Sequence, residues 1–145
     1  MSLLEEIRRA AGVLMGLAAS ADQVPLATPK VGIVGPPAPF RALDGSLVEA
    51  AECDLLARVL SMGQPHKALP LTAAMCLAAA CLAEGSLPRI AAGRPKGPEI
   101  RLGAPSGVVA VGALLGGAAE NPLVEGSIVY ATARRLMEGA VYGEA

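Results

Sequence analysis

Few residues in this chain are equipped for chemistry, and most of them fall in one stretch, His66-Lys-Ala-Leu-Pro-Leu-Thr-Ala-Ala-Met-Cys-Leu-Ala-Ala-Ala-Cys-Leu-Ala-Glu-Gly85. His66, the one histidine, is followed directly by Lys67, and a hydroxyl comes at Thr72, where an apolar run begins. The opening amides of a helix have no intrahelical acceptor and sit at the positive end of its dipole, so together with nearby cations they suit an anion. His66, Lys67 and Thr72 are therefore candidates for gripping a carboxylate or phosphate, with Thr72 also the candidate N-cap. The plain alternative is a solvent-facing His and Lys at a strand end. Cys76 lies one turn into the helix, past the first-turn position that best activates a thiol, and is only a marginal catalytic candidate. Cys81 reads as packing. A second polar point is Pro105-Ser106-Gly107, where the Ser106 hydroxyl and the Ser106 and Gly107 amides can hydrogen-bond an acid group, although turn serines mostly bond their own backbone.

Other chemistries find no support. One His and three thiols at these spacings make no zinc pattern, so no metal is expected. A serine triad lacks its Gly-x-Ser-x-Gly elbow. Gly32 and Gly35 do not make a nucleotide loop, because Pro36 and Pro37 follow where a helix or a Gly-Lys-Ser/Thr would be needed. Glu52, Asp54 and Arg58 read as solvated charges on a helix, not as paired catalytic groups.

These residues need a scaffold. From Ala73 to Ala83 the only polar side chains are Cys76 and Cys81, and a helix apolar all round belongs in a core or a membrane. The run is too short for a bilayer, so a helix over about 72–84 wrapped by protein is expected, with Gly85 as its stop. Ser2 and Glu5 make a capping-box pattern, and Leu3, Ile7, Leu14 and Leu17 recur at helical spacing, predicting a surface helix over about 2–19. A helix beginning at residue 2 suggests a piece of a longer protein, or a helix that packs on something outside the chain. Lys30-Val-Gly-Ile-Val34 reads as a strand, Asp44-Gly45 as a turn between short strands, and residues 49–62 as a helix ended by Gly63. Residues 86–98 read as a surface loop. Residues 99–112 read as a hairpin about Pro105-Ser106-Gly107. Further turns are expected at Gly116-Gly117 and Asn121-Pro122, and strands over 127–133 and 139–142. The expected class is α+β: a curved, mostly antiparallel sheet around one apolar helix, in a single domain over 1–145.

Composition bounds the setting. The 145 residues are 53% hydrophobic and 17% charged with a net charge of -1, which argues against a nucleic-acid surface. No Trp, one Phe and two Tyr leave no base-stacking platform. Three cysteines without a Cys-x-x-Cys pair read as reduced thiols of a cytoplasmic protein. Glu5, Glu6, Arg8 and Arg9 interrupt any leader, and neither export nor membrane association is expected.

The strings Pro29-Lys-Val-Gly-Ile-Val34, Leu55-Leu-Ala-Arg-Val-Leu-Ser-Met-Gly63, His66-Lys-Ala-Leu-Pro-Leu-Thr-Ala-Ala-Met-Cys76, Ile100-Arg-Leu-Gly-Ala-Pro-Ser-Gly107 and Tyr130-Ala-Thr-Ala-Arg-Arg-Leu-Met-Glu-Gly139 resemble the C-terminal half of the PrpF family. That family comprises 2-methylaconitate cis-trans isomerase, 3-methylitaconate isomerase and 4-oxalomesaconate tautomerase. The resemblance implies a diaminopimelate-epimerase-like fold, with two lobes that each wrap a curved sheet around a central helix. It implies proton transfer next to a carboxylate of a small unsaturated di- or tricarboxylate, without metal or organic cofactor. It also implies that the lysine and cysteine proposed to move the proton belong to the N-terminal lobe, outside this chain. The chain departs from the family pattern at Ala104, where His is usual, and at Ala73, where a further Gly is usual; a methyl there narrows the helix mouth. Three expectations follow: a C-terminal lobe, inactive alone, that binds a small carboxylate ligand; a non-catalytic ligand-binding or self-associating module; or a truncated remnant. The expected partners are the missing N-terminal lobe or a second copy in a homodimer.

Overall fold

Alanine determines how closely the elements of this protein approach one another. The structure, a computed structural model, describes residues 2–93, 95, 97–119, 121–131 and 134–140. The apolar run forms α2 (Leu71–Leu82), which lays Ala74, Ala78 and Cys81 on the sheet. With side chains this small, the helix backbone can sit close to Leu55, Ile100, Leu102 and Val111, all fully buried beneath it. The chain begins with α1 (Ser2–Leu14), and β1 (Val31–Gly35), β2 (Phe40–Arg41), β3 (Leu47–Val48), β4 (Leu55–Ser61) and β5 (Gln64–Pro65) precede α2. A short α3 (Leu87–Ala91), β6 (Glu99–Ala104), β7 (Gly107–Ala118) and β8 (Asn121–Val129) follow it. The principal sheet has the order β1-β4-β6-β7-β8, with β5 against β4. It is a curled half-barrel, antiparallel except where β4 runs parallel to β6. The architecture is therefore α+β around one apolar helix, as expected.

Contrary to expectation, α2 is not wrapped on every side: among the described residues only one face is covered, and Leu71, Thr72 and Cys76 are exposed. Its C-terminus is held by Arg89, whose Nη1 donates to the carbonyls of Leu82 (3.2 Å) and Cys81 (3.5 Å), a cation at the negative end of the dipole. Arg89 belongs to α3, which replaces the loop expected over 86–98. Ser86 starts that helix by accepting from the Arg89 amide (3.1 Å).

The helix expected over 49–62 is instead a 3-10 turn at Ala50–Glu52 followed by the strand β4. The apolar positions 55, 56, 59 and 60 fit a helix, but burial follows the other reading: Leu55, Ala57 and Val59 face the core while Leu56 and Arg58 face away. Strand neighbours on both sides, β1 and β6, decide between the two periods. Glu52, Asp54 and Arg58 are accordingly not solvated helix charges. Glu52 accepts from the Glu49 amide (2.7 Å) and caps the 3-10 turn. The Arg58 guanidinium lies 5.5 Å from the Phe40 ring centroid and donates to Gly103 O (3.2 Å). Asp54 fixes the β4–β6 register: its amide donates to Arg101 O (2.7 Å), while its carboxylate accepts from the Arg101 amide (2.7 Å) and from Nη2 (2.6 Å). Burial pushes the Asp54 carboxyl up, but the donors of Arg101 outweigh it and hold the group below the usual carboxylate range.

The β6–β7 hairpin forms as expected and turns at Pro105 and Ser106, with Gly107 at φ 110. Asp44-Gly45 is likewise a turn, in which Asp44 Oδ1 accepts from the Ser46 amide (2.9 Å). Gly116-Gly117 and Asn121-Pro122 are not separate turns. They lie in the β7–β8 ladder, where Gly116 pairs with Leu123, Gly117 with Pro122 and Asn121 with Ala118, with a bulge at Leu114/Leu115. Pro122 is tolerated because β8 is the edge strand among the described residues. β8 ends at Val129, residues 134–140 carry no strand, and the remainder of the strands expected over 127–133 and 139–142 lies outside the described residues.

Helix α1 ends at Leu14, short of 19, where Gly16 adopts φ 72. The side chain of Ser2, and with it the capping box, lies outside what is described. Helix α1 lies on the surface and docks by its polar side. Arg8 is buried, at 3% exposure, donating from Nη1 to Pro25 O (2.7 Å) and from Nε and Nη2 to Glu5 (2.8 Å each). At Gly12 a Cβ would stand 2.6 Å from Val24 Cγ1, so the helix can dock here only on a glycine. Leu3, Ile7 and Leu14 point away from the protein.

A carboxyl whose folded pKa is lowered contributes stability above its unfolded value, and loses that contribution as pH falls through the folded one. Hydrogen bonds from Arg8 and then Arg9 hold Glu5 down at about 2, and Asp54 is lowered as well. Denaturant unfolding should therefore give a stability that is flat from neutrality to about pH 5 and falls between roughly pH 4 and 2. Asp54→Asn should remove about 1–2 kcal/mol at pH 7 and flatten the acid limb. Packing gives a second expectation: a Cβ at Gly103 would lie 2.7 Å from Leu56 Cδ2 and 3.0 Å from Phe40 Cε1. Gly103→Ala should thus cost about 1–3 kcal/mol in the same measurement.

Candidate functional site

The exposed side of α2 forms one wall of a groove of about 610 Å³. Thr72, Ala73, Cys76 and Leu77 line it from the helix, Gly32, Ile33 and Val34 from β1, and Val59 from β4. Leu87 and Pro88 of α3 close one end, and Thr28 and Lys30 of the loop before β1 supply polar atoms. Lys30 Nζ also donates to Ala27 O (3.3 Å). The groove exists because β1 has no strand neighbour beyond β4 among the described residues, while the thin alanine face of α2 is already spent on the other side of the helix.

The helix mouth is built differently from the sequence expectation. Pro70 occupies the N-cap position and no side chain caps the helix; Thr72 is the second helical residue, exposed, and not the cap. Proline has a fixed φ and no amide to lose at a helix boundary, which makes it tolerable there. The first intrahelical bond runs from the Ala74 amide to Pro70 O (2.9 Å). The amides of Leu71, Thr72 and Ala73 consequently have no acceptor within the helix.

The structure gathers Thr72, Ala73 and Cys76 on one groove wall and leaves the other candidates elsewhere. His66 and Lys67 are exposed on the loop that leads into α2, with the His66 amide donating to Val59 O (2.9 Å). Ser106 and Gly107 sit at the β6–β7 turn, where Pro105 O accepts from the Leu43 amide (2.8 Å) and ties the turn to the β2–β3 hairpin. Neither residue lines the groove. Ala104 is fully buried beside that turn. The sequence reading missed Thr28 and Lys30 as groove residues, because only the β1–β4 pairing and the return of α2 bring them opposite the helix.

The three cysteines differ sharply. Burial pushes the Cys81 thiol up to about 11 and raises Cys53 as well. Cys76 alone is exposed, and all three are free thiols. Among the described residues no cluster of His, Cys, Asp and Glu is arranged to hold a metal ion.

A family model described as PrpF protein matches residues 1–144. The chain belongs to the PrpF family. It is 36% identical over 143 residues to a 2-methyl-aconitate isomerase of Shewanella oneidensis, covering 97% of this chain and 36% of that protein. It is 39% identical over 129 residues to a 2-methyl-aconitate isomerase of Cupriavidus necator, covering 88% and 33%. The crystal structure of a methylitaconate-delta-isomerase superimposes with a TM-score of 0.74 at 27% identity, over 94% of this chain and 35% of that one. The fold is the diaminopimelate-epimerase-like one, and this PrpF chain spans about a third of the length of the relatives it matches.

Thiol exposure makes the groove directly testable. A maleimide added to the native protein should modify Cys76 alone, and Cys53 and Cys81 should react only in denaturant. Mass spectrometry of peptides checks this, and Cys76→Ala should abolish the native reaction.

Proposed function

We propose that this chain is the C-terminal lobe of a PrpF isomerase, and that its share of the reaction is to hold a carboxylate of a small unsaturated di- or tricarboxylic acid at the N-terminal end of α2. The observation that carries this reading is the uncapped mouth of α2, where the Leu71, Thr72 and Ala73 amides open beside a groove that Thr72 and Ala73 line. Removing a proton from the carbon next to a carboxylate delocalises charge onto its oxygens. Preorganised amide donors stabilise that charge better than water does, each worth on the order of 10²- to 10³-fold in rate. In this reading Thr72 adds its hydroxyl, and His66 and Lys67 raise the local positive potential from the approach loop. Ser106 and Gly107, on the β6–β7 turn outside the groove, are the candidates for holding a second acid group of the substrate.

The lysine and cysteine that move the proton belong, in this reading, to the part of a full-length PrpF protein that this chain lacks, so the chain binds but does not turn over. Three free thiols and the small-molecule chemistry of the relatives support a cytoplasmic setting. The Ala73 methyl stands at the mouth itself and favours a slim carboxylate over a bulkier phosphate.

Calorimetry with methylaconitate-like acids tests the binding role. The chain alone should bind, and Thr72→Val combined with His66→Ala should weaken binding about tenfold, the equivalent of one charge-assisted hydrogen bond. Mixing the chain with the remainder of a full-length relative should restore isomerisation. Binding without restored activity would favour a non-catalytic module, and no binding at millimolar acid would sink the proposal.

A further inference from the structure

Helix α1 is docked on its own protein by the face opposite the one its sequence prepares for burial. Leu3, Ile7, Ala10 and Leu14 are spaced four, three and four residues apart. At 100° per residue they fall within an arc of about 60°, the seam of an antiparallel or parallel helix pair. All four are exposed, Leu3 at 65%, Ile7 at 49% and Leu14 at 89%, while the opposite side of the helix buries Arg8 and Gly12. Among the described residues nothing covers this seam, so an apolar stripe faces water while the guanidinium faces inward.

We infer that α1 is a homodimerisation helix, and that its seam is covered by α1 of a second copy running antiparallel. The spacing is self-complementary under a two-fold axis. Pairing each residue with the one whose number makes seventeen sets Leu3 against Leu14 of the second copy and Ile7 against Ala10, so every apolar position meets an apolar one. An interface in which the same patch serves both copies is the usual construction of a symmetric dimer. Charge selects the direction. Glu5, Arg8 and Arg9 are already paired with one another along the helix, which leaves Glu6 as the acidic group flanking the seam. Parallel helices would bring the two Glu6 carboxylates to one level and align both dipoles, whereas antiparallel ones separate the carboxylates by roughly 7 Å along the axis and oppose the dipoles. With Met15 alongside, full coverage of the seam would remove roughly 500 Å² per copy, about 1,000 Å² in all, the lower limit for a specific interface, which points to a weak, concentration-dependent dimer. The inference does not depend on what the groove binds, since the seam and the groove use different residues.

Sedimentation equilibrium of the chain between about 1 and 200 µM should show a monomer–dimer equilibrium with a midpoint of order 10 µM. Leu14→Glu, at a site so exposed that folding is unaffected, should leave a monomer across that range with an unchanged circular dichroism spectrum. Orientation is read by oxidative cross-linking in a Cys76→Ser background, since the other two cysteines are buried. Leu3→Cys alone should not link to itself, because the two positions stand roughly 16 Å apart, but mixed with Leu14→Cys it should link readily. A monomer at 200 µM, a dimer indifferent to Leu14→Glu, or rapid self-linking of Leu3→Cys would each overturn the inference.

Discussion

The backbone of α2 can lie close against the sheet only because Ala74, Ala78 and Cys81 are the residues between them. The burial of Leu55, Ile100, Leu102 and Val111 beneath the helix goes with that narrow separation, and the connection through α2 is the crossover that lets β6 run parallel to β4. A larger side chain at either alanine would lift the helix and break contact along its length, since interiors this dense do not absorb added volume. The same constraint builds the groove. Helix α2 spends its small face on the sheet, so its other side, with Thr72, Ala73 and Cys76, is left facing β1 across open space. Packing and site are two sides of one helix.

What was legible in the sequence was whatever local chemistry determines. The alanine run could only be a helix close to something, Asp44-Gly45 could only be a turn, and Ile100 to Gly107 carried a hairpin signature. Residues 49–62 were misread because Leu55, Leu56, Val59 and Leu60 satisfy two periods at once, and only the neighbours β1 and β6 choose between them. Gly116-Gly117 was misread because glycine signals a bend, whereas here it faces Leu123 and Pro122 across the ribbon. In the site, Thr72 and Ala73 could be picked out as the start of a helix beside cations. Thr28 and Lys30 could not, because their position opposite α2 depends on contacts between segments more than 40 residues apart in the chain.

Helix α1 carries the most information. Its amphipathic pattern marks Leu3, Ile7 and Leu14 as a face to be covered, and nothing covers them among the described residues. Among the described residues the outer side of α2 and the outer edge of β8 are likewise uncovered. The two open regions nevertheless differ in character. The α1 stripe is apolar and self-complementary, which suits a copy of itself, while the groove mixes apolar walls with helix amides and hydroxyls, which suits a small acid.

The mouth of α2 as a carboxylate site is the central claim, and the amides themselves report on it. In a ¹⁵N-labelled sample titrated with a methylaconitate-like dicarboxylate, the Leu71, Thr72 and Ala73 resonances should move downfield together and saturate, while amides in β8 remain still. Saturable shifts confined to other parts of the chain, or none at these three residues, would contradict the account.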